Sequence, residues 1–166
     1  LIPLKGHDLV IRVLVEKQDL DLVIVGQGPE YAKLRKLSHS LGVADRVHFL
    51  GSVPHEKMPE VYAMADVLVL ASSREGWANV LLEAMACGTP VAATNVSGTP
   101  EIVTAPEAGV LIDDRSVRGI AAALTRLFDN LPDRARTRAH AEKFSWKETT
   151  DGQLALFDRI LSSGRR

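Results

Sequence analysis

The chain has 166 residues, 46% of them hydrophobic, which is enough to form the core of one globular domain. Its formal net charge is -1 at pH 7, so it lacks the basic field that binding to nucleic acid or to an anionic membrane requires. The single cysteine, Cys87, can form neither an internal disulfide nor a metal cluster, which favours a reducing compartment. Because the chain begins at Leu1 rather than Met, we expect a fragment of a longer protein.

Short apolar runs alternate with helical patterns along the chain. In chain order, the strand candidates are residues 21–26, 46–51, 66–72, 90–95 and 109–113. Most of these runs are continuously apolar, which is typical of strands covered on both faces. The helical stretches between them favour parallel strands joined by right-handed crossovers. We therefore predict an α/β fold, a Rossmann-like, doubly wound parallel sheet with helices on both faces.

Helix starts and the C-terminal tail can also be predicted. Asp8 and Ser116 each precede a segment with apolar residues at helical spacing, so both are expected to be N-caps. The chain from about residue 131 to 166 is more polar but still helical in pattern, and we expect a helical tail. Three arginines alternate with small residues there, so they do not form one continuous helical face and are expected to be solvated. They are Arg134, Arg136 and Arg138.

In an open α/β sheet, ligands bind beyond the carboxyl ends of the strands, where loops lead into helix N-termini. One such loop has the sequence GQGPE, from Gly26 to Glu30. A dinucleotide-binding loop would need a third glycine, and that position is Tyr31. The residues themselves therefore favour a tight turn with Pro29 in the first helical turn.

A second loop follows the candidate strand 66–72. It leads to a predicted helix that begins with Asn79 as its N-cap and ends at Gly88. Gly76 in this loop lets the backbone turn tightly and lets a ligand approach. The free backbone N–H groups of residues 78–81 would form a site for a phosphate or a sugar hydroxyl.

Two glutamates lie eight positions apart around this helix start. Glu83 is one turn into the helix, where it can accept hydrogen bonds from a diol, and Glu75 can reach the next part of the same ligand. These positions suggest an extended, hydroxyl-rich ligand that carries phosphate. Two other interpretations stay open: charges that merely suit the helix dipole or the solvent, and the paired carboxylates of a glycosidase. The spacing fixes no distance between the carboxylates.

The run EGWANVLLEAMACGTPVAATNVSGTPEIV, residues 75–103, closely resembles the E-x7-E region of the retaining nucleotide-sugar glycosyltransferases of the GT-B fold, the group four family. Four further stretches resemble motifs of that family in the same order: KGHD at 5–8, LVIVGQGP at 22–29, RVHFLG at 46–51 and YAMADVLVLAS at 62–72. The family has two Rossmann-like domains, acceptor-binding first and donor-binding second. The whole chain, residues 1–166, resembles the second domain alone.

The resemblance implies a role for each matching residue. Lys5 would contact the donor diphosphate and stabilise the leaving group. Glu75 would bind hydroxyls of the donor sugar, and Glu83 would hold the ribose hydroxyls. Lys5 and Glu75 are thus the candidate catalytic residues. Ser52 and Val53 would lie beside the base. The other candidate donor-binding residues belong to the two loops: Gly26, Gly28, Gly76, Trp77, Ala78, Asn79, Val80 and Leu81.

The resemblance also implies a function for the intact enzyme. It would transfer a hexose-type sugar, with retention, from a nucleotide diphosphate sugar to a hydroxyl of a glycan or lipid-linked acceptor. No metal and no cofactor other than the donor substrate is implied, and no nucleic acid. The implied partner is an N-terminal Rossmann-like domain in cis, without which the chain is expected to be inactive. The implied location is cytoplasmic, with attachment at the inner face of the membrane as the alternative.

Two alternatives to this function stay open, a nucleotide-sugar epimerase half and a binding-only nucleotide-sugar module. The sequence also departs from the family pattern. Trp77-Ala78 stands where the family commonly has Phe-Pro, and Ser97 stands where it often has glycine. The first change bears on sugar specificity, since that loop is expected to face the sugar. The family's partner arginine would precede Leu1.

Overall fold

The computed structural model describes residues 1–163, in which strands and helices alternate. The strands in that range are β1 (Leu22–Val25), β2 (Val47–Gly51), β3 (Leu68–Leu70), β4 (Val91–Thr94) and β5 (Gly109–Ile112). The helices are α1 (His7–Glu16), α2 (Tyr31–Ser40), α3 (Met58–Met64), α4 (Asn79–Ala86), α5 (Thr99–Ile102), α6 (Val117–Asp129), α7 (Arg134–Ala141) and α8 (Trp146–Ser163). All five predicted strands are confirmed, with ends within two residues of the predicted bounds.

All the strand pairs are parallel. β1 pairs with β2, with Leu22 opposite Val47, and β3, β4 and β5 form a second sheet in that order, with Val91 opposite Gly109. The predicted fold of parallel strands with helical crossovers is confirmed. Within residues 1–163, however, β1 and β3 are not hydrogen-bonded to each other, so the sheet is present in two pieces. The apolar strand pattern does not indicate this division.

Helices cover both faces of the strands, as the continuously apolar runs predict. α1 and α6 pack on one face of the three-stranded sheet, where Ala92 is buried. α3, α4 and α7 pack on the other face, where Val91 and Ala93 are buried, in the alternation expected along a strand. α1 also packs with α2 on the two-stranded sheet through Ile11 and Leu34, so it contacts both sheets. Burial of a side chain such as Ile11 contributes about 1.5–3 kcal/mol.

The helix starts agree with the sequence in part. Ser116 caps α6 as predicted, since its Oγ accepts a hydrogen bond from the Gly119 N–H at 3.1 Å. The prediction that Asp8 caps α1 is wrong, because the helix already begins at His7 and Asp8 lies in its first turn. A carboxylate there still suits the helix dipole. Pro29 precedes the N-cap of α2 instead of lying in its first turn.

The first five residues cross the carboxyl ends of β1 and β3. The Leu1 amino group donates to the Gln27 carbonyl, just after β1. The Ser73 N–H, just after β3, donates to the Leu4 carbonyl at 2.9 Å. Gly28 has a φ of 153°, and a Cβ there would overlap the Leu1 backbone. Any residue other than glycine at this position would therefore displace the first residues of the chain. The carboxyl ends of both sheets therefore lie on the same side of the molecule.

The tail is helical, as predicted, over α7 and α8. The prediction that its arginines are merely solvated is wrong for Arg134, which donates to the carbonyls of Ala63 and Ala65 at 3.0 and 2.7 Å and so binds the end of α3. The other two arginines form exposed ion pairs, Arg136 with Glu107 and Arg138 with Glu142.

α8 exposes a row of apolar side chains. They are Leu154, Leu156, Phe157, Ile160 and Leu161. In the described part of the chain, none of the helices combines the length and the apolar character that crossing a membrane requires.

Candidate functional site

An ion pair joins the start of the chain to the loop after β3. Lys5 Nζ donates to Glu75 Oε1 at 2.6 Å, although the two residues are 70 positions apart. The Glu75 side chain is 12% exposed and the Lys5 side chain 37%, so the carboxylate is the more sheltered partner. The structure thus brings together the two residues that the sequence analysis identifies as candidate catalytic residues.

Gly6 determines where the Lys5 side chain lies. A 3₁₀ turn, Pro3–Lys5, ends at Gly6, whose φ of 66° is left-handed, and α1 begins at the next residue. A Cβ on Gly6 would overlap the carbonyl oxygen of Ala71, just after β3. Any larger residue would therefore push the turn away from the strand end. The glycine of the KGHD motif holds Lys5 beside the carboxyl end of β3.

Burial and charge act in opposite directions on the Glu75 carboxyl. Burial by itself would raise its pKa, but the hydrogen bond and the charge of Lys5 prevail, and the pKa lies below the ordinary value of 4.5. Ser72 lies close by, but its Oγ is buried without a partner at normal hydrogen-bond geometry, so we attribute the lowering to Lys5. Glu75 is therefore a charged acceptor at neutral pH.

The start of α4 differs from the prediction. The helix begins at Asn79 with Ala78 as its N-cap and no capping side chain, so the prediction that Asn79 caps it is wrong. Two of the backbone N–H groups of residues 78–81 are already used: Asn79 donates to the Trp77 carbonyl at 3.0 Å, and Leu81 to the Ala78 carbonyl at 2.9 Å. The helix start therefore offers fewer donors to an anion than the sequence predicts.

Gly76 does not use the conformational freedom of glycine for the tight turn that the sequence predicts. Its φ is not left-handed, and no atom lies within 4 Å of the position that a Cβ would take. The loop conformation therefore does not require glycine here, although the open space beside it gives a ligand room. The side chains of Val80 and Leu81 pack into the core, so only their backbones can face a ligand.

Glu83 is oriented by a residue on another helix. Its Oε2 accepts a hydrogen bond from Tyr62 OH at 2.8 Å, and Tyr62 lies on α3 with 7% of its surface exposed. Burial, and then this hydrogen bond, raise the pKa of Tyr62, so its hydroxyl stays protonated and donates. Tyr62 is not among the site residues predicted from the sequence. The available signal was that a buried tyrosine needs a partner for its hydroxyl.

Trp77 lies at the outer edge of the loop. The residue is 48% exposed, and its indole meets the Phe144 ring edge-on, with the ring centroids 6.3 Å apart. A Cβ on Gly98 would lie 3.0 Å from the Gly76 carbonyl oxygen and 3.3 Å from the indole. The loop therefore packs closely over Gly98, at the start of α5.

The other candidate residues lie at the carboxyl ends of β1 and β2. Gly26 directly follows β1, with its Cβ position 3.7 Å from the Leu1 side chain, and Gly28 lies beneath the Leu1 backbone. Ser52 is exposed and Val53 half-buried in the loop after β2. All four are on the side of the molecule that carries the Lys5 ion pair.

Two buried hydroxyls near the second loop were not predicted. In the stretch 1–163, Ser72 Oγ and Thr99 Oγ1 are buried without a hydrogen-bond partner. Ser72 follows β3, and Thr99 begins α5 immediately after Gly98. Buried polar atoms are nearly always paired, so Thr99 Oγ1 marks a place where water or a small polar group can bind, whereas Ser72 Oγ lies close to the Glu75 carboxylate. For Ser72, the available signal was a hydroxyl at the end of the apolar run 66–72; the sequence gives no such signal for Thr99.

Fold and site together define a class of protein: a parallel α/β domain with paired charges at the carboxyl ends of its strands, where such sheets bind ligands. Within that class, the chain belongs to the family glycosyl transferases group 1, which matches residues 1–144.

Two curated relatives illustrate the match. The D-inositol 3-phosphate glycosyltransferase of Mycolicibacterium smegmatis is 35% identical over 98% of this chain and 39% of the relative. The GDP-mannose-dependent alpha-(1-6)-phosphatidylinositol monomannoside mannosyltransferase of Mycobacterium tuberculosis is 41% identical over 84% of this chain and 38% of the relative. The chain therefore spans about two fifths of the length of these relatives.

Solved structures agree with this assignment. Sucrose-phosphate synthase from Thermosynechococcus elongatus superposes with a TM-score of 0.80 and 26% identity, over 98% of this chain and 44% of that one. Anabaena HepE in complex with UDP-glucose superposes with a TM-score of 0.78 and 26% identity, over 98% of this chain and 46% of that one. The fold is that found in GT-B glycosyltransferases.

Proposed function

We propose that this chain is the donor-binding domain of a retaining glycosyltransferase. The intact enzyme transfers a hexose-type sugar from a nucleotide diphosphate sugar to a hydroxyl acceptor. The observation that carries the proposal is the 2.6 Å ion pair between Lys5, just before α1, and Glu75, in the loop before α4. An ammonium and a carboxylate held together suit a ligand that carries both phosphate and hydroxyl groups.

Lys5 and Glu75 take different parts of the donor in this proposal. The Lys5 ammonium binds the diphosphate and stabilises the negative charge that develops as the bond to the sugar breaks. Glu75, with its lowered pKa, accepts hydrogen bonds from sugar hydroxyls. Because the fold already holds the two groups together, little reorganisation is needed when the donor binds.

Glu83 binds the ribose hydroxyls in this proposal, and Tyr62 orients it. A ribose presents two neighbouring hydroxyls, which a carboxylate accepts well. The backbones of Gly76 to Leu81 hold the remaining sugar and phosphate oxygens, and Ser52 and Val53 lie beside the base. Trp77 is half-exposed at the edge of the loop and helps to determine which donor sugar binds.

The names of the relatives support the donor and acceptor classes. One relative is named for GDP-mannose and for a phosphatidylinositol monomannoside, another for inositol 3-phosphate, and one solved structure contains UDP-glucose. Each acceptor named presents hydroxyl groups. We propose that the donor is a nucleotide diphosphate hexose, that no further cofactor takes part, and that a preceding domain binds the acceptor in cis.

Calorimetric titration of the chain with UDP, GDP, ADP and their sugar conjugates tests the donor site. A few hydrogen bonds of about 1 kcal/mol each predict dissociation constants of roughly tens of micromolar to millimolar. We expect one base to be preferred and its binding to be lost in Glu83→Ala. Glu16→Ala, at the exposed end of α1, is the matched control and should bind like the parent chain.

Two results would count against the proposal. Nucleotide binding that Glu83→Ala leaves unchanged would contradict the role of Glu83. If neither the chain nor the intact enzyme bound any of these nucleotides, the donor-binding function itself would be overturned. Release of an epimerised donor by the intact enzyme, without transfer to an acceptor, would favour an epimerase instead.

A further inference from the structure

The Trp77 indole is held by two contacts from outside its own loop. The position that a Cβ on Gly98 would take lies 3.3 Å from the indole, so the ring packs against the bare backbone at the start of α5. The second contact comes from the ring of Phe144, which follows α7 and meets the indole at an interplanar angle of 61°. Aromatic rings attract each other in such edge-to-face geometry. Two separate elements therefore fix the indole.

Phe144 is itself held by a buried histidine. The centroid of the His140 ring, on α7, lies 5.5 Å from that of Phe144, and His140 is only 3% exposed. Its Nε2 lies 3.0 Å from the carbonyl oxygen of Ile102, the last residue of α5. A carbonyl oxygen only accepts, so Nε2 carries a proton and donates to it. His140 thus joins the Phe144 ring to the end of α5.

These contacts form a closed circuit. Gly98 at the start of α5 touches the indole, and Ile102 at its end accepts from His140. From His140 the contacts return through Phe144 to Trp77. Any displacement of the indole therefore has to break one of these contacts or to shift α5 relative to α7. A side chain that its neighbours lock in this way is preorganised to bind a ligand.

Half of Trp77 remains open to a ligand. The residue is 48% exposed, and among the described residues its indole N–H has no hydrogen-bond acceptor. Glu75, which accepts sugar hydroxyls under the proposed function, is two positions earlier in the same loop. Trp77 therefore offers a hydrogen-bond donor and an apolar ring surface to the sugar that Glu75 binds.

We propose that Phe144 is a positioning residue for donor specificity: held by His140, it fixes the Trp77 indole as one wall of the sugar site, so that the domain distinguishes hexose epimers carried on the same nucleotide. This inference rests on the proposed function. Epimers differ in the direction of one hydroxyl and have nearly equal apolar surfaces. A mobile indole could adapt to either direction, whereas a fixed N–H donor and ring surface suit one of them. Phe144 acts through Trp77, without contacting the donor.

Calorimetric titration of the intact enzyme tests this inference. The ligands are two pairs of epimeric donors, UDP-glucose with UDP-galactose and GDP-mannose with GDP-glucose, together with UDP and GDP alone. We expect the parent enzyme to bind one epimer of a pair about tenfold more tightly than the other, an effect of the size that one contact in a pocket gives. In Phe144→Leu, we expect this ratio to fall to about twofold, while the affinity for the nucleotide without sugar is unchanged.

Two further variants are the controls. Phe144→Tyr keeps the aromatic ring and should therefore keep the epimer ratio of the parent enzyme. Phe128→Leu makes the matched change at an exposed ring near the end of α6. It should leave both the epimer ratio and the nucleotide affinity unchanged.

Each result decides the inference. A lower epimer ratio in Phe144→Leu, with nucleotide affinity retained and with the ratio kept in Phe144→Tyr, supports it. An unchanged ratio in Phe144→Leu, or a parent enzyme that does not distinguish the epimers of either pair, overturns it but leaves the proposed donor-binding function intact. Loss of nucleotide affinity in Phe144→Leu would show that Phe144 only supports the fold, and would also overturn it. If the parent enzyme bound neither UDP nor GDP, the proposed function would fail, and this inference with it.

Discussion

At the scale of single residues, the Glu75 carboxyl makes the free energy of unfolding depend on pH. Its pKa is lowered from 4.5 in the folded chain, so the pair with Lys5 contributes stability above pH 4.5 and loses it as pH falls through the lower folded value. We expect the parent chain to exceed Glu75→Gln in free energy of unfolding by about 0.5–1 kcal/mol at pH 7. Urea titrations at pH 7, 4.5 and 3 should show the difference shrinking. A difference independent of pH would contradict the ion pair.

Tyr62 carries a prediction about donor affinity. Replacing it with phenylalanine removes the hydroxyl that orients Glu83 at 2.8 Å but keeps the buried ring. In the intact enzyme, we expect Tyr62→Phe to raise KM for the donor about fivefold, the equivalent of one hydrogen bond of about 1 kcal/mol, with little change in kcat. Tyr31→Phe, at a ring that packs on Phe49, is the control. A fall in kcat at constant KM would assign Tyr62 a different role.

Ser97 carries a prediction about stability. It is the one residue other than glycine with a positive φ, 49°, in the described part of the chain, and the related family often has glycine there. A left-handed conformation costs a residue with a Cβ about 1–2 kcal/mol, and glycine avoids this cost. Glycine also has more conformational entropy in the unfolded chain, which offsets part of the gain. We therefore expect Ser97→Gly to stabilise the chain by about 0.5–1 kcal/mol. Ser97→Ala keeps the Cβ and should give no gain. Thermal unfolding of both variants tests this.

At the scale of elements, Arg46 joins the start of β2 to the end of α1. Its guanidinium donates to the carbonyls of Leu14, Lys17 and Leu20 at 2.7, 2.9 and 2.9 Å. We expect Arg46→Ala to lower the free energy of unfolding by about 1.5–3 kcal/mol, because hydrogen bonds to a charged group are strong. Arg46→Lys should recover only part, since an ammonium cannot reproduce the planar fork. Arg12→Ala, exposed on α1, should cost less than about 0.5 kcal/mol in the same urea titration.

The elements themselves were largely predictable from the sequence, and their junctions were not. The strands were predictable because a short, continuous apolar run in a chain of this length is typical of a buried β-strand. Helix starts were found at Ser116 but missed at Asp8 and Asn79, because a cap depends on backbone angles that can shift by one residue. The hydrogen bond between Tyr62 and Glu83 required knowing that α3 and α4 lie side by side. The family motifs pointed to Lys5 and Glu75 separately, but the ion pair between them was not predicted, because 70 positions separate the residues.

At the scale of the whole molecule, about three fifths of the relatives' length lies outside this chain. We expect the purified 166-residue chain to transfer no sugar, because under the proposed function a preceding domain supplies the acceptor-binding side of the cleft. Acceptor-dependent release of nucleotide tests this, with the Glu75→Ala chain as the background. Nucleotide release by the parent chain above that background would contradict the proposal that a second domain is needed for transfer.

The distance along the chain between Lys5 and Glu75 has a consequence for folding kinetics. β1 and β2, and likewise β3 to β5, join through short crossovers, whereas the ion pair closes a segment of 70 residues. Contacts between distant parts of a chain form slowly, because the entropy of closing the loop opposes them. In a refolding chain, we therefore expect the two charges to meet only after both sheets have formed. Recovery of nucleotide affinity should lag behind recovery of the helical signal.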